Sequence, residues 1–162
     1  MKTEARKTPK TLSALCFNPW WVAAGDTSYL GTEWGADLLK TVIANTATEM
    51  TVQPATASTA VTWMFESVSL PRGVKYLSNM GAHLKCEMVE RCQFIIKGQR
   101  VNIWVDEEGK IKGGFQVYTQ LKGARYPLAG RLMFVQARGN GETDITLTPE
   151  DIAQVIDSIW IE

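Results

Sequence analysis

The sequence predicts an α+β fold, with an antiparallel sheet in its second half and amphipathic helices packed against it. Between about residues 86 and 137, four runs rich in β-branched and aromatic residues are separated by glycine-containing pairs. Glycine supplies the positive φ that tight turns between strands need, so this pattern predicts an antiparallel β-meander. Near the C-terminus, residues 149–160 carry apolar side chains at helical spacing, which predicts an amphipathic helix.

The strand-like runs of the predicted meander end at the pairs Lys97-Gly98, Glu108-Gly109, Lys122-Gly123 and Arg138-Gly139. Alternate residues along the runs are apolar and would share one face of the sheet. They are Cys92, Phe94, Ile96, Val101, Ile103, Val105, Ile111, Phe115, Val117 and Leu121.

Two helices are predicted to flank the sheet. In the C-terminal one, Thr148 is the expected N-cap and Pro149 occupies the first helical position. Its apolar stripe is wide enough to require burial, most simply on the meander. The stripe comprises Ile152, Val155, Ile156, Ile159 and Trp160. A second helix is predicted near residues 32–44, where apolar side chains again recur at helical spacing after Thr32.

Length and composition indicate one domain. The chain has 162 residues, of which 45% are hydrophobic and 21% charged, enough for a single core over residues 12–162. Residues 1–11 are basic and Thr-rich, and they predict a flexible arm. No apolar run approaches the roughly 18 residues of a membrane helix, and Asn18-Pro19 interrupts the only stretch like a signal peptide. Three irregularly spaced cysteines favour reduced thiols, so we expect a cytoplasmic protein without a membrane partner.

The charge distribution leaves two interpretations open. Lys plus Arg and Asp plus Glu each total 17, and this zero net charge argues against a general nucleic-acid binder. Residues 97–138, however, hold eight basic and three acidic residues, whereas residues 139–162 hold six acids and no base. The favoured interpretation is that the two segments neutralise each other in the fold; the alternative is a basic binding face.

The densest charge cluster, "VDEEGK" at residues 105–110, is interpreted as a turn. Asp106 is expected to accept a backbone N–H two residues on, and Gly109 to take the left-handed conformation before the next strand. A calcium loop requires alternating oxygen ligands where Lys110 and Lys112 stand. A catalytic carboxylate pair requires burial, which the tip of a hairpin does not provide.

The same region resembles a small domain family of phages and plasmids to which no function is assigned. The similar segments are Asp106 to Lys110, Ala129-Gly130, Gly139 to Asp144 and Leu147 to Glu150, within about the last 75 residues. The resemblance implies a gene on a mobile genetic element and a bacterial cytoplasm. It supplies no catalytic residues.

A metal site and a catalytic centre are both weakly indicated. Cys16, His83, Cys86 and Cys92 have the ligand types of a zinc site, but the paired Cys-x-x-Cys knuckle is missing. The spacing favours packing in the core. A Cys–His nucleophilic pair lacks an orienting third group, and "GARYPLAGR" lacks the Lys-Ser/Thr ending of a phosphate loop. We therefore expect no metal, no cofactor and no enzymatic activity.

Aromatic and basic side chains provide the candidate binding residues. Trp104, Tyr118, Arg125, Tyr126 and Arg131 are of the types that stack on bases in single-strand binders, although ordinary surface aromatics look the same. Trp20 and Trp21 are candidates for anchoring a binding partner; the alternative is that they pack their own segment onto the core.

The sequence thus favours a non-catalytic protein of a phage or other mobile element that modulates a host system by binding a host protein or small ligand. A counter-defence role follows from the resemblance alone. The alternative is a single-stranded nucleic-acid-binding protein that uses the basic meander.

Overall fold

The computed structural model describes residues 11–19, 64–111 and 116–161. The helix predicted near residues 32–44 and the candidate anchors Trp20 and Trp21 lie outside the described residues, as do residues 1–10 of the predicted arm. Thr11, the last residue of the predicted arm, is instead the first residue of a strand, because it pairs with Pro71.

The described residues form nine strands and two helices, which confirms the α+β class and the antiparallel sheet. In chain order these are β1 (Thr11–Phe17), β2 (Phe65–Pro71), α1 (Tyr76–Leu84), β3 (Val89–Ile96), β4 (Gln99–Asp106), β5 (Val117–Leu121), β6 (Leu128–Ala129), β7 (Leu132–Arg138), β8 (Gly141–Thr143), α2 (Pro149–Ala153) and β9 (Ile156–Ile161).

The strands form two antiparallel sheets. The large sheet has the order β2-β1-β7-β4-β3, with β8 paired to β7, and the small sheet has the order β6-β5-β9. After β4 the chain leaves the large sheet, forms β5 and β6 of the small sheet, and returns as β7 beside β4. The runs of the predicted meander are therefore strands, divided between two sheets.

In the β3–β4 hairpin, the turn residues and the apolar alternation of the sequence both match the structure. Lys97 and Gly98 both have positive φ, 52° and 75°, as the two central residues of a type I′ turn require. The turn pairs Ile96 with Gln99 and fixes the register along the hairpin, so that Phe94 faces Val101 and Cys92 faces Ile103. Apolar alternation and turn geometry agree here.

Both faces of the large sheet are covered. The inner face packs on the small sheet and α2; its buried side chains include Leu15, Val101, Ile103, Leu132 and Phe134, which meet Val117, Leu121, Ile152, Ile156 and Ile159. The helix face packs under α1; its buried side chains include Leu12, Ala14, Cys16, Met133 and Val135, which meet Met80 and Leu84.

The C-terminal helix predicted over residues 149–160 is wrong beyond its first turn. Its start is as expected: the Thr148 hydroxyl accepts the Asp151 N–H at 3.2 Å, and the Asp151 carboxylate accepts the Thr148 N–H at 2.9 Å. The helix ends at Ala153, however, and residues 156–161 form β9 against β5.

A β-bulge explains the misleading spacing. Leu121 pairs with Ile156 and Gln120 with Ser158, so Asp157 is an extra residue in β9. A bulge shifts the alternation of a strand by one residue. Ile156 and Ile159, three positions apart, therefore both reach the core, each only 2% exposed. Their spacing is that of one helix face, whereas the β-branched side chains suit the strand that forms.

Candidate ligand-binding cavity

The 105–110 segment is a turn, and it forms one wall of a cavity. As predicted, the Asp106 carboxylate accepts the backbone N–H of Glu108, at 2.9 Å. The expected left-handed conformation of Gly109 is wrong, because Gly109 is not among the residues with positive φ. A side chain there would instead meet the Ala129 Cβ at 3.2 Å, so glycine lets the turn approach β6 closely.

The cavity has a volume of about 530 Å³ and opens between the β3–β4 edge of the large sheet and the loop from β5 to β6. Its apolar lining is provided by Cys92, Phe94, Ile103, Val105, Leu121, Ala124, Leu128 and Ala129. Its charged or polar lining is provided by Glu90, Gln93, Asp106, Glu107, Lys110, Arg125 and Tyr126. This size and this combination of surfaces are typical of small-molecule sites, which measure about 300–1,000 Å³.

The cavity exists because β3 extends beyond the cover of the small sheet. Ile96 of β3 is buried in the core shared by the two sheets, but Cys92 and Phe94, on the same face, are only half-buried. The β5–β6 loop passes over them without filling the space. It is held by the Gln120 Nε2, which donates to the Ala124 carbonyl at 2.8 Å, and it turns at Gly123, whose φ is 80°. Part of the cavity wall is therefore a loop whose backbone is held in place by a hydrogen bond.

The rim of the cavity carries both signs of charge. Tyr126 is 61% exposed, with the Lys110 Nζ at 5.6 Å and the Arg125 Cζ at 5.5 Å from its ring centroid. Cations at this range are attracted by the negative face of an aromatic ring. Glu90, Asp106 and Glu107 contribute carboxylates to the lining. A ligand in the cavity would meet donors and acceptors at its mouth and apolar groups at its floor.

Cys92 is the one thiol in the lining. Burial raises its pKa, the charge of Glu90 raises it further, and Lys110 opposes the shift. The thiol is therefore protonated at neutral pH and is a weak nucleophile. His83 is in α1, which covers the opposite face of the sheet, so the structure does not form the Cys92–His83 pair considered from the sequence.

The remaining cysteines lie in the other core. Cys16 is buried on the helix face, where burial raises its pKa to about 11, and Cys86 packs against the same cluster. Cys92 packs against the inner-face cluster instead. In the part of the chain that the structure describes, no group of three or more His, Cys, Asp or Glu side chains is placed to hold a metal ion.

The structure divides the aromatic and basic residues proposed for stacking. Arg125 and Tyr126 line the cavity together, and Tyr118 is half-buried against the inner-face cluster. Trp104 lies on the helix face of β4. Arg131 is half-buried in front of β7, where its charge acts on Cys16. Trp104 and Tyr126 therefore do not share one surface.

Sequence reasoning missed a polar network centred on Glu142. Its carboxylate accepts hydrogen bonds from the Tyr76 hydroxyl, from the Asn102 Nδ2 at 2.7 Å and from the Trp104 Nε1 at 2.7 Å. These partners are 66, 40 and 38 residues away in the chain, so no local motif marks them.

Fold and cavity together define an α+β protein of two packed antiparallel sheets with a ligand-sized space between them. No protein-family model, curated protein or solved structure matches the chain. Among the described helices, none has the length and apolar character needed to cross a bilayer.

Proposed function

We propose that this protein is a non-catalytic binding protein that holds a small ligand in the cavity between its two sheets. The observation that carries the proposal is the cavity itself: about 530 Å³ with an apolar floor, a charged mouth and a β5–β6 loop held by a hydrogen bond from the Gln120 side chain to the Ala124 carbonyl. A preformed apolar space of this size favours ligand binding because little order must be imposed when the ligand enters.

The lining specifies the kind of ligand. Phe94, Ile103 and Leu121 would contact an apolar body, while Lys110 and Arg125 would meet an electronegative group at the mouth. Glu90, Asp106 and Glu107 offer acceptors to a donor group. A compact molecule with an apolar centre and polar ends fits these surfaces best.

Binding rather than catalysis is supported by the chemistry of the lining. No histidine, serine or threonine is among the described residues that line the cavity. Its one thiol, Cys92, is held in the protonated form by burial. Nucleophilic catalysis needs a nucleophile with a base within hydrogen-bond reach, and these side chains do not supply that pair.

The biological role we propose is the modulation of a host system by a protein of a phage or other mobile element, acting in the cytoplasm. The support for this role is the resemblance to the phage and plasmid domain family. The segments that carry it are Asp106 to Lys110 and Leu147 to Glu150. A ligand-sized cavity suits a counter-defence protein that withdraws a small host molecule from use.

Fragment binding followed by NMR tests the proposal. We expect members of a library of small apolar fragments with polar ends to shift the amide signals of residues 90–94 and 121–129. Ala124 is half-buried in the lining, and Ala124→Phe fills the space, so fragment binding should fall at least about tenfold. Ala82→Phe adds the same ring to an exposed position of α1 and should bind the fragments normally. Fragments that bind both variants equally would refute the proposal.

The alternative, single-stranded nucleic-acid binding, is favoured by one observation. Tyr126 is exposed between Lys110 and Arg125, an arrangement suited to a base and its phosphate. Arg125→Ala and Arg131→Ala would then weaken oligonucleotide binding, most strongly at low salt. The absence of binding by the unaltered protein at low salt would eliminate this alternative.

A further inference from the structure

A second cavity, of about 520 Å³, lies on the helix face of the large sheet, on the opposite side from the first. It forms where the loop before α1, the edge of β3 and β4, and the β7–β8 hairpin meet. Among its lining residues are Arg72, Tyr76, Leu77, Arg91, Trp104 and Glu142.

The wall of this cavity is fixed by the Glu142 network. The Glu142 carboxylate has three donors, and Asn102, one of them, is 1% exposed and is itself held by the Gln93 Nε2 at 3.2 Å. Trp104 donates its indole N–H to Glu142, which fixes the position of the ring. The aromatic part of the wall is therefore ordered before any ligand arrives.

The cavity has more positive than negative charge. Arg72 and Arg91 contribute two guanidinium groups, and Glu142 contributes the one carboxylate among the described lining residues. That carboxylate is already occupied by hydrogen bonds. The Arg72 Nη2 donates to the Glu142 backbone carbonyl at 2.7 Å, which anchors the side chain. Arg91 is exposed on the edge strand and pairs in register with Trp104, so its guanidinium is available at the mouth.

Apolar side chains border the same opening. Val74 is fully exposed and Leu77 is half-exposed, although both line the cavity. Leaving apolar surface in water is unfavourable by roughly 25 cal/mol per Å². An occupant with an apolar part would cover these side chains.

We infer that this cavity is a second binding site, for a small organic anion with an apolar body. Arg91 and Arg72 receive the anionic group, and the body lies against Leu77 and the Trp104 ring. Arginine suits this task because its planar fork matches carboxylate, sulfonate or phosphate oxygens in pairs. The site is separate from the cavity between the sheets, so each can be occupied or altered alone.

The probe for the test is 1-anilinonaphthalene-8-sulfonate, an aromatic anion, and its uncharged comparison is N-phenyl-1-naphthylamine. We expect the sulfonate to bind and to shift the Trp104 indole N–H and the amides of residues 72–77 and 140–142. Arg91→Ala should weaken its binding about tenfold, because the variant loses a charge-assisted hydrogen bond to the sulfonate. Arg138→Ala removes another exposed arginine, one that lines neither cavity, and should leave binding unchanged.

Three results would overturn the inference. They are binding of the uncharged compound as tight as that of the sulfonate, binding of the sulfonate to Arg91→Ala as tight as to the unaltered protein, and signal shifts confined to residues 121–129. Leu77→Ser tests the apolar part independently, and a dissociation constant unchanged by it would also count against the site. Because Arg91 and Leu77 are exposed, neither substitution is expected to unfold the protein.

Discussion

The inner face and the helix face of the large sheet are built from alternate residues of the same strands, yet they are stabilised differently. On β4, Val101, Ile103 and Val105 face an apolar core, whereas Asn102 and Trp104 join a hydrogen-bond network around Glu142. On the inner face the second layer is a sheet that leaves a cavity at one end. On the helix face the second layer, among the described residues, is α1, and the Glu142 carboxylate of β8 connects α1 to β4. The stability of the inner face should therefore depend on apolar packing, and that of the helix face on hydrogen bonds to its buried polar groups.

The largest expected effect is on the inner face. Phe134→Ala removes a ring that is 0% exposed and should lower the free energy of unfolding by about 3–5 kcal/mol, through lost burial and a new cavity. Denaturant unfolding measures this loss. The exposed Arg138, in the same strand, provides the control, since Arg138→Ala should change stability by less than about 0.5 kcal/mol. A loss below about 1 kcal/mol for Phe134→Ala would mean that the two sheets do not pack as described.

The next effect is on the helix face. Glu142→Gln keeps the size of the side chain but replaces an acceptor oxygen by a donor, which leaves a partner such as the Trp104 N–H unsatisfied. The free energy of unfolding should fall by about 1–3 kcal/mol. Glu66→Gln, at an exposed position of β2, is the matched control. Equal stabilities of the two variants would show that the Glu142 network contributes nothing.

A third prediction compares thiols on the two faces. In a Cys86→Ser variant the remaining thiols are Cys92, half-buried in the first cavity, and Cys16, buried on the helix face with a pKa raised to about 11. Since only the thiolate reacts, alkylation of Cys92 by iodoacetamide should keep accelerating above the usual thiol pKa of about 8.5. Cys16 should react only on unfolding. A rate for Cys92 that levels off below about pH 8 would contradict the buried environment.

The smallest effect concerns the cap of α2. The Lys97 Nζ lies 2.8 Å from the Asp151 carboxylate, and this hydrogen bond, with that from the Thr148 N–H, lowers the Asp151 pKa. The contact stabilises the fold above the ordinary carboxyl pKa and is lost as the pH falls through the lowered value. Lys97→Ala should therefore raise the Asp151 titration midpoint in NMR while stability at neutral pH falls by less than about 1 kcal/mol. An unmoved midpoint would show that the ion pair is absent in solution.

The sequence predicted what local chemistry determines. The Lys97-Gly98 hairpin, the Asp106 turn and the Thr148 cap depend on neighbours within a few residues, and all three are present. It could not predict that β4 pairs with β7 while β5 joins β9, because strand partners are chosen by packing across long sequence separations. The bulge at Asp157, which gives β9 the apolar spacing of a helix, likewise depends on the pairing of β9 with the distant β5.

The candidate sites also divide into features set by local sequence and features set by residues distant in the chain. Arg125 and Tyr126 were identified from residue type and do line a cavity together. Residue type groups Trp104 with them as well, but strand alternation places it on the opposite face. Alternation places Cys92 on the apolar face, where it lies, but the cavity beside it and the Glu142 network are formed by residues distant in the chain, so spacing gives no indication of the cavity or the network.

The central claim is that the cavity between the sheets binds small ligands, and protection of Cys92 tests it most directly. In Cys86→Ser, the alkylation rate of Cys92 is measured with and without a saturating concentration of a fragment that binds the unaltered protein. Because the thiol lines the cavity, the account predicts that the rate falls in proportion to the occupied fraction. In Cys92→Ser, the same fragment should leave the alkylation of Cys86 unchanged, since Cys86 packs on the other face. A Cys92 rate that is unaffected by saturating fragment would contradict the claim.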